Sequence, residues 1–240
     1  MSEVNDDVTL VLFDIDGTIL AGGGAGKRAV TRALVEVFGS AGPADHRFDG
    51  KTDPQIVREL MRHEGHADPH IDDRMPLLLE RYLAFLHEEL ERPPHARVLP
   101  GVVELLDALE ARSDVVLGLL TGNLAAGARA KLSAVGVDPD RFRVGAFGSD
   151  HETRGELPAV AQRRARDELG LQVQGRDVVV IGDTPNDLQC GIAIGARAIG
   201  VATGHYTVEQ LLAYRPAAVF RDLSDTSAVV EVIVSRTHRP

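Results

Sequence analysis

The sequence predicts an α/β protein: a doubly wound parallel sheet with helices on both faces and a helical domain inserted after the first strand. Three observations lead there. Short runs rich in β-branched residues and leucine recur along most of the chain, helical periods separate them, and residues 22–95 break the alternation by offering helices but no strand. Alternating strand and helix implies parallel strands, because a crossover helix returns the chain to the same end of the sheet. The expected division is a core of 1–21 and 96–240 with a helical cap of 22–95.

The first strand is expected at 9–13 (TLVLF). In the insertion, apolar residues three and four apart predict helices over 27–38 (Ala29, Val30, Ala33, Leu34, Val37), 54–62 (Ile56, Val57, Leu60, Met61) and 76–91 (Leu78, Leu79, Tyr82, Leu83, Leu86, Leu90). Asp53-Pro54 supplies an N-cap and a first-turn proline for the second helix, and Pro93-Pro94 marks the return to the core. Further strands are expected at 115–120, 142–147, 177–181, 196–201 and 217–220. Between them, Pro100-Gly101 opens a helix whose Val102, Leu105, Leu106 and Leu109 share one face, and another runs from Leu157 to Leu169.

With 44% hydrophobic residues and 24 glycines in 240, the composition is that of a soluble globular chain. A net charge of −10 repels nucleic acid and anionic membranes, so neither is an expected partner. It equally repels a phosphorylated substrate, so a site for one must supply its own cations. The first residues, MSEVNDDV, are acidic without an apolar stretch, and no run approaches the roughly 18 apolar residues of a membrane span, so a cytoplasmic location is expected. The single Cys190 excludes an intrachain disulfide and a cysteine-clustered zinc site; it reads as a small buried residue on a helix. Monomer and homodimer both stay open.

Three strings carry chemistry, each at the carboxyl end of a different expected strand, where open α/β sheets bind ligands. Asp14-Ile15-Asp16-Gly17-Thr18 follows the first strand, and two carboxylates so close are costly unless a cation stands between them, which implies a bound divalent metal. Thr121-Gly122-Asn123 offers a hydroxyl and approachable backbone N–H groups suited to phosphoryl oxygens. Gly182-Asp183-Thr184-Pro185-Asn186-Asp187 adds the one or two further acids that Mg²⁺ needs, since that ion takes oxygen ligands and keeps several waters.

In this order the strings resemble motifs one, two and four of the haloacid dehalogenase superfamily, and the segments LPGVVELLDALE and GIAIGA look like its phosphoglycolate phosphatase branch. The resemblance covers roughly residues 8–21 and 96–222, and the insertion matches that family's helical cap in position. It implies a Rossmann-like core, Mg²⁺ as cofactor, and hydrolysis of a small phosphorylated metabolite through an aspartyl-phosphate. Asp14 is then the nucleophile and Asp16 the acid and base. Thr121, Gly122 and Asn123 hold the phosphoryl group, and Asp14, Asp16, Asp183 and Asp187 serve the metal, with Asp183 direct and Asp187 through water or in support. A sugar-phosphate mutase similar to β-phosphoglucomutase and a non-catalytic phosphate-binding protein of the same fold remain as alternatives.

One departure stands out. The family's third motif is ordinarily a lysine, and this chain has only Lys27, Lys51 and Lys131, none between the third and fourth expected strands. Arg154 lies there instead, just before a proline and a helix, and arginine keeps the cation while adding a planar fork. Arg154 is the expected substitute; Lys131, reaching in from the preceding helix, is the alternative. For the leaving group, Gly50-Lys51-Thr52 forms a loop entering a helix N-terminus, which can hold an anion, although a solvated Lys51 fits the sequence as well. The run Gly22-Gly23-Gly24-Ala25-Gly26-Lys27 lacks the glycine and the Ser or Thr of a phosphate loop and reads as a hinge. His63-Glu64-Gly65-His66 has the wrong spacing for a helical zinc pair.

Overall fold

The structure, a computed structural model, describes residues 8–235. The acidic stretch MSEVNDD, on which part of the location argument rests, lies outside the described residues, as do 236–240. Among the described residues no helix is long and apolar enough to cross a membrane.

In chain order the elements are β1 (Thr9–Phe13), β2 (Leu20–Ala21), α1 (Ala25–Phe38), α2 (Asp53–His63), α3 (Asp68–Leu90), β3 (Arg97–Val98), α4 (Val102–Glu110), β4 (Val115–Thr121), α5 (Ala125–Ala134), β5 (Val144–Phe147), α6 (Leu157–Leu169), β6 (Val178–Gly182), α7 (Pro185–Cys190), β7 (Arg197–Val201), α8 (Val208–Leu212), β8 (Ala218–Phe220) and α9 (Thr226–Val234). Six strands form one parallel sheet in the order β5-β4-β1-β6-β7-β8. The chain therefore winds outward from β1 in one direction through β4 and β5, then in the other through β6, β7 and β8. β1 stands at the switch point, where a doubly wound sheet opens a crevice at its carboxyl edge.

β1 is apolar on both faces because both are covered. Val11 and Phe13 belong to a cluster with Leu105, Leu106 and Leu109 of α4, Leu132 of α5, and Val229 and Ile233 of α9. Leu10 and Leu12 point the opposite way, into a second cluster with Leu157, Ala161 and Ala165 of α6 and with Cys190, which is buried at the end of α7. A third cluster belongs to α1, α2 and α3, with Leu124 the one residue it draws from the β4–α5 loop.

All six expected strands are present within one or two residues of their expected bounds. The helices α8 and α9 were not expected, and α3 and one strand pair also differ. α3 starts at Asp68 rather than near residue 76 and runs straight through Pro76. Pro76 is exposed, so its ring and the carbonyl it leaves unpaired face solvent, where water can serve that carbonyl. The pair β2–β3 was not expected: Leu20 lies opposite Val98 and Ala21 opposite Arg97 in an antiparallel ribbon that carries the chain out to α1 and back from α3. The glycine run beyond β2 is held by Arg28, which donates to the Gly23 carbonyl (2.7 Å) and to the buried Glu89 at the end of α3 (2.7 Å).

Because Leu12 is fully buried in the central strand, Leu12→Ala should lower unfolding free energy by about 2–5 kcal/mol, the range for core Leu→Ala changes. Urea titration should show a lower midpoint with an unchanged slope.

Candidate active site

Asp14 extends β1 by one residue, its backbone N–H donating to the Ile181 carbonyl of β6 (2.9 Å), so its side chain stands at the mouth of the crevice. The chain then turns at Gly17, whose N–H reaches the Leu20 carbonyl (2.8 Å). Asp183 follows the last residue of β6 and packs directly on that turn. A Cβ on Gly17 would lie 2.3 Å, and one on Gly204 1.8 Å, from Asp183 Oδ2, so both glycines are required for the carboxylate to fit. Asp187 sits in the first turn of α7, where Thr184 and Asp187 form a capping box: Asp187 Oδ2 accepts from the Thr184 N–H (3.0 Å) and hydroxyl (2.7 Å).

Asp14, Asp183 and Asp187 each turn one carboxylate oxygen inward, all within 4.8 Å of one another, and all three are buried. Burial, reinforced by repulsion from Asp187 and Asp14, pushes the Asp183 carboxyl up to about 9. Burial likewise raises Asp14 to about 6, against the pull of Arg154. Asp183 Oδ1 is buried with no hydrogen-bond partner. A buried carboxylate with one unpartnered oxygen, beside two further carboxylates, fits a hard divalent cation such as Mg²⁺, which takes oxygen ligands.

Arg154 lies in a single helical turn, Arg154–Glu156, ahead of α6. Its Nη2 donates to Asp14 Oδ1 (2.9 Å), to the Leu120 carbonyl (3.2 Å) and to Asp187 Oδ1. Burial works against this guanidinium, but Asp187 and Asp14 hold its pKa above the ordinary arginine value.

Lys131 also reaches the site, on a different carboxylate. Its Nζ donates to Asp16 Oδ2 (2.6 Å) and Asn123 Oδ1 (2.5 Å), while Asn123 Nδ2 donates to the same Asp16 oxygen (2.8 Å) and to Thr121 Oγ1 (2.8 Å). Arg154 and Lys131, weighed in the sequence as alternatives, are thus both present, one on Asp14 and one on Asp16. Asp16, expected among the metal ligands, turns its carboxylate to Lys131 and Asn123 and stands outside the group of three acids. The ammonium accounts for this, since it takes up the charge that a metal would otherwise have to balance.

The helical insertion closes over these groups. Asp53 is not the N-cap of α2; Thr52 is, accepting from the Gln55 N–H (3.2 Å) and donating to the Glu152 carbonyl (2.6 Å). Freed from capping, the half-buried Asp53 accepts the Leu124 N–H through its carboxylate (2.9 Å), and its own N–H reaches the Gly122 carbonyl (2.8 Å). Burial raises the Asp53 carboxyl to about 6, opposed by Lys131. A Cβ on Gly122 would lie 1.9 Å from the Lys51 carbonyl, so Gly122 is needed for this docking besides any contact with a phosphoryl group.

The Gly50-Lys51-Thr52 loop is not an open anion cradle. The Gly50 carbonyl accepts from Asn186 (3.0 Å), the Lys51 ammonium is paired with Glu59 (2.5 Å), and the first-turn N–H groups of Asp53 and Gln55 already have partners. Lys51 nonetheless lines the cleft of about 650 Å³ that contains Asp14, Asp16, Thr121, Asn123, Lys131 and Asp183. Sequence reasoning missed Asp53 and Tyr82, which lines the same cleft. The signal for Lys131 was there to read: with Ala128 and Leu132 it forms one buried face of α5, a lysine where an apolar residue is the norm.

A family model for haloacid dehalogenase-like hydrolases matches residues 11–191. The chain belongs to that family. It is 27% identical over 237 residues to a probable phosphatase, IndB, of Dickeya dadantii, covering 96% of this chain and 97% of that one. It is 27% identical over 244 residues to a phosphoglycolate phosphatase of Agrobacterium fabrum, covering 95% and 94%. Among solved structures, a hydrolase from Pseudomonas syringae superposes with a TM-score of 0.71 at 22% identity, covering 95% of this chain and all of the other, which shows that the two share a fold.

The crowding of three acids predicts an opposed pair of effects for Asp183→Asn. Asn relieves the cost of folding a carboxyl that burial and its neighbours hold protonated near neutral pH, and should raise the melting temperature of the metal-free protein. If the three acids hold Mg²⁺, the wild type should gain about 2.7 kcal/mol at a hundred times the dissociation constant, and the same change should abolish that gain. Thermal unfolding with EDTA and with Mg²⁺ checks both; a variant that still responds to Mg²⁺ would remove Asp183 from the metal site.

Proposed function

We propose that this hydrolase is a Mg²⁺-dependent phosphatase that cleaves the phosphomonoester of a small metabolite through a phosphorylated Asp14. The observation that carries the reading is the unequal setting of two carboxylates two residues apart. Asp14 is buried against Arg154, whereas the Asp16 side chain is 43% exposed and faces the cleft. The first suits a nucleophile, the second an acid that must meet the leaving group. The names of the relatives support the phosphatase class.

In this mechanism an Asp14 oxygen attacks phosphorus in line while Asp16 gives its proton to the departing alkoxide. Asp16 then takes a proton from the water that attacks the phosphorus of the aspartyl-phosphate. Arg154 holds the attacking carboxylate and offsets charge on the phosphoryl oxygens, where most catalysis of this reaction arises. Thr121 and the backbone near Gly122 and Asn123 are the expected contacts for those oxygens. Asp14, Asp183 and Asp187 would hold the metal ion, which supplies charge neutralisation and orientation of the phosphoryl group. Residues 22–95 serve as a cap over a core of 1–21 and 96–240, and its cleft-lining side chains, Val30, Phe48, Lys51 and Ile56 among them, meet the leaving group.

A screen of phosphoglycolate, sugar phosphates, nucleotides and amino-acid phosphates with Mg²⁺ should show release of inorganic phosphate from at least one. Transfer of the phosphoryl group between sugar hydroxyls without such release would favour a mutase. Asp14→Asn should abolish turnover while leaving the circular dichroism spectrum unchanged, since an amide is no nucleophile; undiminished phosphate release would refute the mechanism. Arg154→Ala should lower kcat/KM by ~10² or more, the scale for losing a preorganised stabiliser of developing charge. Arg154→Lys should recover part of that loss by restoring the point charge without the fork.

A further inference from the structure

Lys131 has no task in the chemistry of Asp14, yet it is only 5% exposed, and an ammonium is costly to bury unless its surroundings are arranged for it. The surroundings are so arranged. Asp16 Oδ2 accepts twice, from Lys131 Nζ (2.6 Å) and from Asn123 Nδ2 (2.8 Å). Asn123 is itself fixed at both ends of its amide, its Oδ1 by Lys131 and its Nδ2 by Thr121 Oγ1. Asp16 Oδ1 receives no hydrogen bond among the described residues; what lies near it is Gly22, where an added Cβ would come to 3.2 Å. One oxygen of the carboxylate is therefore pinned and the other left free toward the cleft. Gly26 of α1 leaves the ammonium its place, since a Cβ there would lie 3.3 Å from Lys131 Nζ.

We propose that Lys131 is a positioning residue for proton transfer: by pinning Oδ2 it aims Oδ1 of Asp16 at the leaving oxygen of the substrate. The inference rests on Asp16 being the acid of the phosphatase reading. In the step it serves, the proton on Oδ1 passes to the leaving oxygen as the phosphorus–oxygen bond breaks and its electron pair stays on that oxygen. Asp16 is left as a carboxylate whose Oδ2 keeps the ammonium. Asp53 and Tyr82, from the helices that close over the site, line the same cleft, and Asp53 and Asp16 both hold the lysine charged against the cost of burial. Closure of the helices thus adds a second carboxylate to the surroundings of the lysine. Nothing in this arrangement touches Asp14, so Lys131 should matter in proportion to how much the leaving group needs a proton.

The test compares two leaving groups on one preparation of Lys131→Met, a change that keeps the length of the stem and removes the charge. The substrates are p-nitrophenyl phosphate, whose leaving group departs without a proton, and the alkyl phosphate best hydrolysed by the wild type. Each kcat/KM reports the steps through phosphorylation of Asp14, and their ratio is independent of how much of the variant is folded. General acid catalysis is worth typically 10²–10⁴-fold, so the ratio of alkyl to aryl kcat/KM should fall by about tenfold or more, with the aryl ester little affected. Equal losses on both esters would overturn the positioning role while leaving the phosphatase reading intact. A wild type that releases phosphate from no ester would overturn both.

Discussion

The site depends on one buried cation. Three acids converge where β1 and β6 end, and without compensation their mutual repulsion and desolvation would exceed what a marginally stable fold can absorb. Arg154 answers part of this inside the protein, bridging Asp14 and Asp187 with a guanidinium that stays charged under any physiological condition. What it leaves uncompensated is Asp183, whose Oδ1 has no partner. Fixed positive charge thereby serves only one side of the cluster: the arginine holds the Asp14 carboxylate in place, and the deficit left at Asp183 is where a divalent ion would fit.

The same economy governs the second half of the crevice. Asp16 is compensated by Lys131 rather than by Arg154, so the two carboxylates of the first motif, two residues apart in sequence, belong to separate electrostatic neighbourhoods. The switch-point topology makes this possible. β4 lies on one side of β1 and β6 on the other, so Asp14 leans toward the loops after β5 and β6, while Asp16 lies against the loop and helix that follow β4. A net charge of −10 surrounds both, so whatever attracts an anionic substrate must come from local cations such as these.

Most of the sheet was legible because its strands are buried on both faces and so read as uninterrupted apolar runs, and because motif residues fall at their ends. Arg154 was legible for a reason of chemistry, being the cation next to the proline and helix where the family carries a lysine. What stayed hidden was set by contacts distant in sequence. Asp53 before Pro54 has every local mark of an N-cap; that it instead receives the Leu124 N–H depends on a loop 71 residues away. Lys51 carries a free charge on paper, and its neutralisation by Glu59 two helical turns on is visible only once the turn into α2 is fixed. α3 begins eight residues before its expected start because its first two turns, from Asp68 to Met75, are mostly polar and show no apolar period to read.

The β2–β3 ribbon has a consequence for how such a molecule can change. Ala21 and Arg97 face each other across two strands, so to the sheet everything between them is a loop whose ends are already joined. The entropy of closing a loop grows only with the logarithm of its length, about 0.6 kcal/mol for each doubling. Lengthening, shortening or replacing the intervening helices therefore costs the sheet little in closure entropy. Whatever the inserted helices come to face, the ribbon is thus the joint at which they could be exchanged for others while the six-stranded sheet keeps its own connections.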